Sequence, residues 1–255
     1  MDKLVYDIGM HIGQDTRYYL KKGFRVLAIE ANPELVEEAR KNLCKYTASG
    51  QLIILNVCIA QSEGVRPFYK NLRCSEWSSF DKSIGSRNET RYEVLNVECI
   101  TTKKLFETYG MPYYLKIDIE GYDYMCLLDI PDNGNKPQYV SCEACHLEWL
   151  DILKSKGYQK FKLISQGDNF IQIDLDKEKK FYYPKYQVVR NGIKLRLQRF
   201  ISFKHLYGSS GPFGDDTKGE WKSYEQVKSL FEKYNCTQSA KPLNNVSWFD
   251  FHASL

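Results

Sequence analysis

From Leu4 to about residue 175, short β-rich apolar runs alternate with amphipathic stretches, the pattern of a parallel sheet covered by helices. The predicted strands are Leu4–Ile8, Arg25–Glu30, Leu52–Val57, Tyr113–Ile119, Tyr139–Glu143, Phe161–Ser165 and Phe170–Asp174. Gln14–Lys22 reads as a helix stopped by Gly23. A second helix is capped by Asn32, opens on Pro33 and carries the apolar stripe Leu35, Val36, Ala39 and Leu43 towards about Lys45. Two segments interrupt the alternation. In residues 63–99, Val65–Tyr69 and Glu93–Cys99 are expected to pair around a polar loop holding Ser75, Trp77, Ser78, Ser79, Phe80 and Arg87. The tail after Asp176 has a turn-rich Gly208–Asp216 stretch and a helix near Tyr224–Tyr234. The expected division is a core over 1–175 and an extension over 176–255 that packs on it as an acceptor-side lid.

Composition narrows the class. A chain of 255 residues, 43% hydrophobic and 27% charged, has enough apolar surface for a packed core, and no apolar run reaches the roughly 18 residues of a membrane span. A net charge of +4, from 36 basic and 32 acidic residues, is too dispersed for an obligate nucleic-acid binder. The start Met1-Asp2-Lys3-Leu4 has no secretory pattern, so an intracellular location is expected, with the eight cysteines mostly unpaired. The sequons at Asn88, Asn235 and Asn245 then carry no weight.

The chemistry gathers at strand ends. In Asp7-Ile8-Gly9-Met10-His11-Ile12-Gly13 a strand enters a glycine-containing turn that opens a helix, placing free N–H groups near an anionic ligand group. Asp7 can accept from an ammonium, so the turn suits a zwitterion, with His11 as a ligand contact. Glu30 closes the second strand, where an acid accepts from both hydroxyls of an adenosine ribose. The glycine spacing departs from Gly-x-Gly-x-x-Gly and disfavours a nicotinamide oxidoreductase. Asp118 and Glu120 end the fourth strand and Glu143 the fifth, with His146 close by. They can hold a divalent metal, orient a substrate or take its proton, though strand-end acids also cap helices and His146 can equally be structural. Cys142-Glu143-Ala144-Cys145-His146 matches a haem-attachment pattern, but a strand end in an α/β core without a second cysteine pair reads as neither haem nor zinc site.

Three stretches, Asp7–Gly13, Ala28-Ile29-Glu30-Ala31-Asn32-Pro33 and Leu115-Lys116-Ile117-Asp118-Ile119-Glu120-Gly121, resemble in order the motifs of FkbM-type S-adenosylmethionine-dependent methyltransferases. Ser209–Gly214 also resembles an extension of some members. The resemblance implies a class I methyltransferase (Rossmann-like) α/β fold, seven strands with the last antiparallel. It implies a cofactor set of Asp7, Gly9, Met10, His11 and Gly13 for the methionine part, Glu30, Ala31 and Asn32 for the ribose, and Asn56, Cys58 and Ile59 near adenine. It further implies O-methylation, often of a sugar hydroxyl in a glycan. Asp118, Glu120, Glu143 and His146 would then converge on the acceptor as base, or Asp118 and Glu143 as ligands of an optional Mg²⁺, with Trp77, Phe213 and Trp221 stacking on a sugar face or only anchoring their loops. Position 11 is often Asn in this family, so His11 is a departure. The rival readings are an RNA methyltransferase, a nicotinamide oxidoreductase and a non-catalytic glycan-binding protein that kept the fold.

Overall fold

A computed structural model describes residues 3–166, 171–172, 209–239 and 249–255. Its frame is one eight-stranded sheet. In chain order the strands and helices of the first half are β1 (Leu4–Ile8), α1 (Gln14–Lys21), β2 (Arg25–Ile29), α2 (Pro33–Asn42), α3 (Cys44–Ala48), β3 (Leu52–Leu55), β4 (Cys58–Ile59), β5 (Gly64–Asn71), α4 (Lys82–Gly85) and β6 (Tyr92–Ile100). Then follow α5 (Thr102–Tyr109), β7 (Tyr114–Ile117), α6 (Asp123–Leu128), β8 (Tyr139–Glu143), α7 (Leu147–Ser155), β9 (Lys160–Ser165), β10 (Ile171–Gln172), α8 (Tyr224–Ser239) and β11 (Phe249–Ser254).

The sheet order is β10-β9-β11-β8-β7-β1-β2-β3. Strands β3, β2, β1, β7 and β8 pair in parallel, whereas β11 is antiparallel to both β8 and β9. This is the class I methyltransferase arrangement expected, with one short strand added at an edge. Its antiparallel member is not where the sequence placed it. Ile171–Gln172 is only that edge strand, paired with β9, while the rest of the predicted Phe170–Asp174 strand lies outside the described residues. The inserted strand is Phe249–Ser254, so the division at residue 175 is corrected: the last residues of the chain complete the sheet.

The period of two along each strand divides the core. Tyr6, Ile8, Leu27, Ile29, Leu115 and Ile117 pack on one face beneath helices that include α7 and α8. Val5, Val26, Ala28 and Tyr114 face the other way, onto Tyr19 and Leu20 of α1 and Val36 and Ala39 of α2. Helix α2 starts as read: the Asn32 side chain accepts from the Glu34 N–H at 3.0 Å and Pro33 takes the first helical position. It stops at Asn42, and the separate turn α3 follows.

The predicted pair in the insertion forms. β5 and β6 are antiparallel, and β4 adds beside β6 to make a second, three-stranded sheet. Its loop is tied by Asn71, whose side-chain oxygen accepts from the N–H groups of Arg73 and Cys74 while its nitrogen donates to Gly85 O and Thr90. Gly85 lets this loop lie flat, since a Cβ there would stand 2.6 Å from that of Tyr69.

Phe213 and Trp221 anchor the tail rather than an acceptor. The Phe213 ring is buried and stacks 3.8 Å from Tyr114, at the amino-terminal end of β7. Trp221 stacks on Tyr139 at 6.1 Å beneath the Lys162 ammonium. Both rings therefore lie away from the carboxyl-terminal strand edge, and of the two roles expected for them, stacking on a sugar or anchoring their loops, the contacts favour anchoring. His205 lies outside the described residues.

Candidate active site

The turn after β1 is folded onto β2 by its own backbone. Gly9 N–H and Met10 N–H both donate to Ile29 O, at 3.0 and 2.9 Å. Gly9 has φ +81°, and a Cβ there would stand 1.8 Å from the carbonyl oxygen of Asp118. Gly13, at φ +82°, would carry its Cβ 2.9 Å from Leu43. Both positions are thus bare where protein packs against them.

Around this turn lies a cleft of about 870 Å³, including its open mouth. Gly9, Met10, His11, Glu30 and Ala31 form one wall, Val57, Cys58, Ile59 and Phe68 an apolar end, and Asp118, Glu120 and Tyr122 the side at β7. Ser75, Ser78, Ser79 and Phe80 of the insertion close over it. Of the predicted cofactor set, Asp7, Gly13, Asn32 and Asn56 do not reach the cleft. Asn32 caps α2, and Asn56 donates to the carbonyls of Glu30 and Ala31, bracing the β2 end.

Glu30 is held from behind. Its carboxylate accepts from His11 N–H at 2.9 Å and Asn32 N–H at 2.8 Å. Burial raises its pKa, and those two N–H groups oppose the rise. A carboxylate has about four acceptor positions, so capacity is left for a ligand's hydroxyls on the cleft side. The His11 ring bonds to Ser75 Oγ at 2.8 Å, joining the turn to the insertion.

Sequence reasoning missed what lies under the turn. Strand register sets Asp7 opposite Lys116, both on the α1 face. Lys116 Nζ stands 3.0 Å from Asp7 and donates to Gly9 O at 2.8 Å, and the Thr16 hydroxyl donates to Asp7. Asp7, expected to meet a ligand ammonium, is thus ion-paired with the protein's own. Burial opposes the charge on Lys116, but Asp7, Asp118 and Asp15 outweigh it and hold its pKa above the usual lysine value. A lysine between Leu115 and Ile117 in a strand buried on both faces was the available signal.

At the β7 side, the strand ends at Ile117, so simple alternation does not carry on to Glu120. Glu120 instead adopts φ +50°, a left-handed conformation costly for a side chain, followed by Gly121 at φ +88°. Asp118 and Glu120 both line the cleft. Arg87 of the insertion pairs with Glu120, and the Trp77 ring lies 5.0 Å from the Arg87 guanidinium. Glu143 and His146 do not join them on the wall. Glu143 N–H is held by Asp123 at 2.9 Å, and His146 is exposed and edge-on to Trp149. Of the four residues expected to converge, Asp118 and Glu120 line the cleft, the Glu143 carboxylate is buried within the field of both, and His146 stands apart, exposed. Among the described residues no group of three or more His, Cys, Asp or Glu is placed to hold a metal ion, so nothing here supports the Mg²⁺ expectation.

Burial, and after it neighbouring acids, push Glu120 up to about 7, Asp123 to about 7 and Glu143 to about 8. Their folded pKa values exceed the ordinary carboxylate value, so the stability tied to them is complete below about pH 4 and is lost as pH rises through 7 to 8. Thermal unfolding should therefore show a midpoint falling by several degrees between pH 6 and 9, whereas a flat midpoint would contradict these environments. Exposed acids held low by partners, Asp132 by Lys156 and Asp81 by Ser83, act only at the acid end.

Residues 7–160 match the Methyltransferase FkbM domain. A comparison with curated protein sequences gives no match. Among solved structures, the FkbM methyltransferase of Methylobacillus flagellatus is 17% identical with a TM-score of 0.45, over 64% of this chain and 40% of that one. The phosphoethanolamine N-methyltransferase 2 of Haemonchus contortus, solved with S-adenosyl-L-methionine, is 12% identical with a TM-score of 0.41, over 100% of this chain and 49% of that one. This chain thus spans about two fifths of the Methylobacillus protein's length. Among the described residues, no helix is long and apolar enough to cross a membrane. On its domain match over more than half its length, the chain belongs to the FkbM methyltransferase family.

Proposed function

We propose that this enzyme O-methylates a hydroxyl of a sugar in a glycan or glycoconjugate, with Glu120 taking the hydroxyl proton. The observation that carries the reading is Glu120 itself: a carboxylate forced into a left-handed conformation on the cleft wall, with its pKa raised to about 7 by burial. A base is most effective when its pKa lies near the working pH.

The residues present fit the ribose and adenine parts of the cofactor. The free acceptor positions of Glu30 suit ribose hydroxyls, and Val57, Cys58, Ile59 and Phe68 suit a flat apolar base. S-adenosylmethionine supplies a methyl group already activated on a sulfonium, so the chain's task is alignment and proton removal. With the cofactor over β1 and β2, the acceptor end of the cleft is the β7 side. There Asp118 and the serine hydroxyls of the insertion offer partners to a polyol, and Phe80 and Tyr122, edge to face at 5.8 Å, offer ring surface. The hydroxyl oxygen forms its bond to the methyl carbon as the carbon–sulfur bond breaks, and Glu120 accepts the proton. The products are a methyl ether and S-adenosylhomocysteine.

Glu120→Gln should lower turnover on a responsive glycan about 100-fold or more while leaving cofactor affinity within about threefold. Measured by transfer of a labelled methyl group across a panel of sugars, normal turnover in this variant would refute the assignment. Methylation of amines but not hydroxyls by the wild type would refute the O-methylation reading.

A further inference from the structure

Asp15 lines the cleft yet is only 5% exposed, and neither of its carboxylate oxygens serves its own helix. The N-cap of α1 is Gly13, and no side chain caps that end. Instead Oδ2 accepts from Ser210 N–H at 2.8 Å and Oδ1 from Gly211 N–H at 3.2 Å, so the whole group is spent on a segment far along the chain. Gly211 itself has φ +80°, a left-handed conformation that favours glycine. The segment is fixed in register by Phe213, stacked on Tyr114 at 3.8 Å and edge-on to Tyr19 of α1 at 5.7 Å.

On its other side Asp15 belongs to the buried charge group beneath the cofactor turn. Its field falls on Lys116 together with those of Asp7 and Asp118, and Lys116 in turn holds Gly9 O. Three carboxylates share one ammonium there. The two N–H groups of Ser210 and Gly211 supply the positive partners that Lys116 alone does not, leaving Lys116 directed at Asp7 and Gly9.

We propose that Asp15 is a positioning residue for S-adenosylmethionine, through which the Ser209–Phe213 segment holds the floor of the cofactor site in its binding shape. The proposal rests on the cleft being the cofactor site. The segment touches the floor and not the acceptor side, so its influence falls on cofactor affinity rather than on the choice of acceptor.

Coupling of this kind is reciprocal: if the segment shapes the site, an occupied site steadies the segment. In the wild-type protein, S-adenosylmethionine should slow hydrogen exchange of the amides in 209–213 about fivefold or more, and Asp15→Asn should abolish that response. By calorimetric titration, Asp15→Asn should weaken S-adenosylmethionine about tenfold, the scale of a lost hydrogen bond to a charged group. Phe213→Leu, which keeps an apolar anchor but loses the stacking, should weaken it about threefold and needs no change in the cleft. A purely structural clamp would lower the unfolding midpoint of both variants while leaving their cofactor affinity and the exchange response as in the wild type. That result overturns the proposal, and if Asp15→Asn does not fold, the exchange response and Phe213→Leu decide it. Failure of the wild type to bind S-adenosylmethionine would instead overturn the cofactor assignment, and the proposal with it.

Discussion

Lys116→Met is expected to destabilise the protein by about 3–5 kcal/mol, because it leaves buried carboxylates without their cation. Methionine matches the lysine stem in length, so the loss is of charge rather than of volume. Asp7 is fully buried and then retains only the Thr16 hydroxyl, and Asp15 only its two N–H partners. In a chain of this size each kcal/mol moves the thermal midpoint by about 2–4 °C, so a fall of roughly 10 °C is expected. The double variant Asp7→Asn with Lys116→Met should recover part of it, since the orphaned charge is then gone. Urea unfolding of the three proteins tests this, and a loss below about 1 kcal/mol for Lys116→Met would mean that the ammonium does not hold the turn.

Gly9→Ala is the second large effect, and its cause is steric. The added Cβ would stand 1.8 Å from the Asp118 carbonyl oxygen, a backbone atom that no rotamer change can move. The carboxyl ends of β1 and β7 must then part, at the point where Asp118 N–H donates to Ile8 O at 3.0 Å. Since Met10, His11 and Asp118 all move with that opening, S-adenosylmethionine affinity should fall about 100-fold or more, the scale of an ångström's misplacement in a site. Gly23→Ala is the control. Its φ is +88°, but nothing lies within 4 Å of the added atom, so it should cost about 1–2 kcal/mol in stability and leave affinity unchanged. Equal affinity in Gly9→Ala and wild type would contradict the described approach of the two strands.

These two residues mark the limit of what was legible. The run of apolar strands through Tyr139–Glu143, the capped helix at Asn32-Pro33 and the pairing of residues 64–71 with 92–100 could be read, because each has a local signature in period or turn residues. The strand Phe249–Ser254 could not. Its polar positions, Asp250, His252 and Ser254, alternate with apolar ones as on a solvent-facing strand, yet all three are buried between β8 and β9. Alternation reports one apolar face and does not say that the polar face is also covered.

The site divides in the same way. Glu30 and Asp118 were readable because open α/β sheets place ligands at strand ends, and both line the cleft. Glu143 also ends a strand but does not line the cleft, and its backbone N–H donates to Asp123, an acid that no motif singled out. Glu120 reaches the cleft by a left-handed turn rather than by strand alternation, and Asp15 is engaged by a segment nearly 200 positions away. Neither contact leaves a trace in local spacing.

The central claim is that the cleft bounded by Glu30 and Glu120 holds S-adenosylmethionine. Calorimetric titration of the protein with S-adenosylmethionine, S-adenosylhomocysteine and NAD, repeated on Glu30→Gln, tests it most directly. The account predicts that the first two bind, that NAD does not, and that Glu30→Gln weakens both by about tenfold or more, the cost of replacing a charged acceptor for two hydroxyls. Binding of NAD in place of the other two, or unchanged affinity in Glu30→Gln, would contradict it.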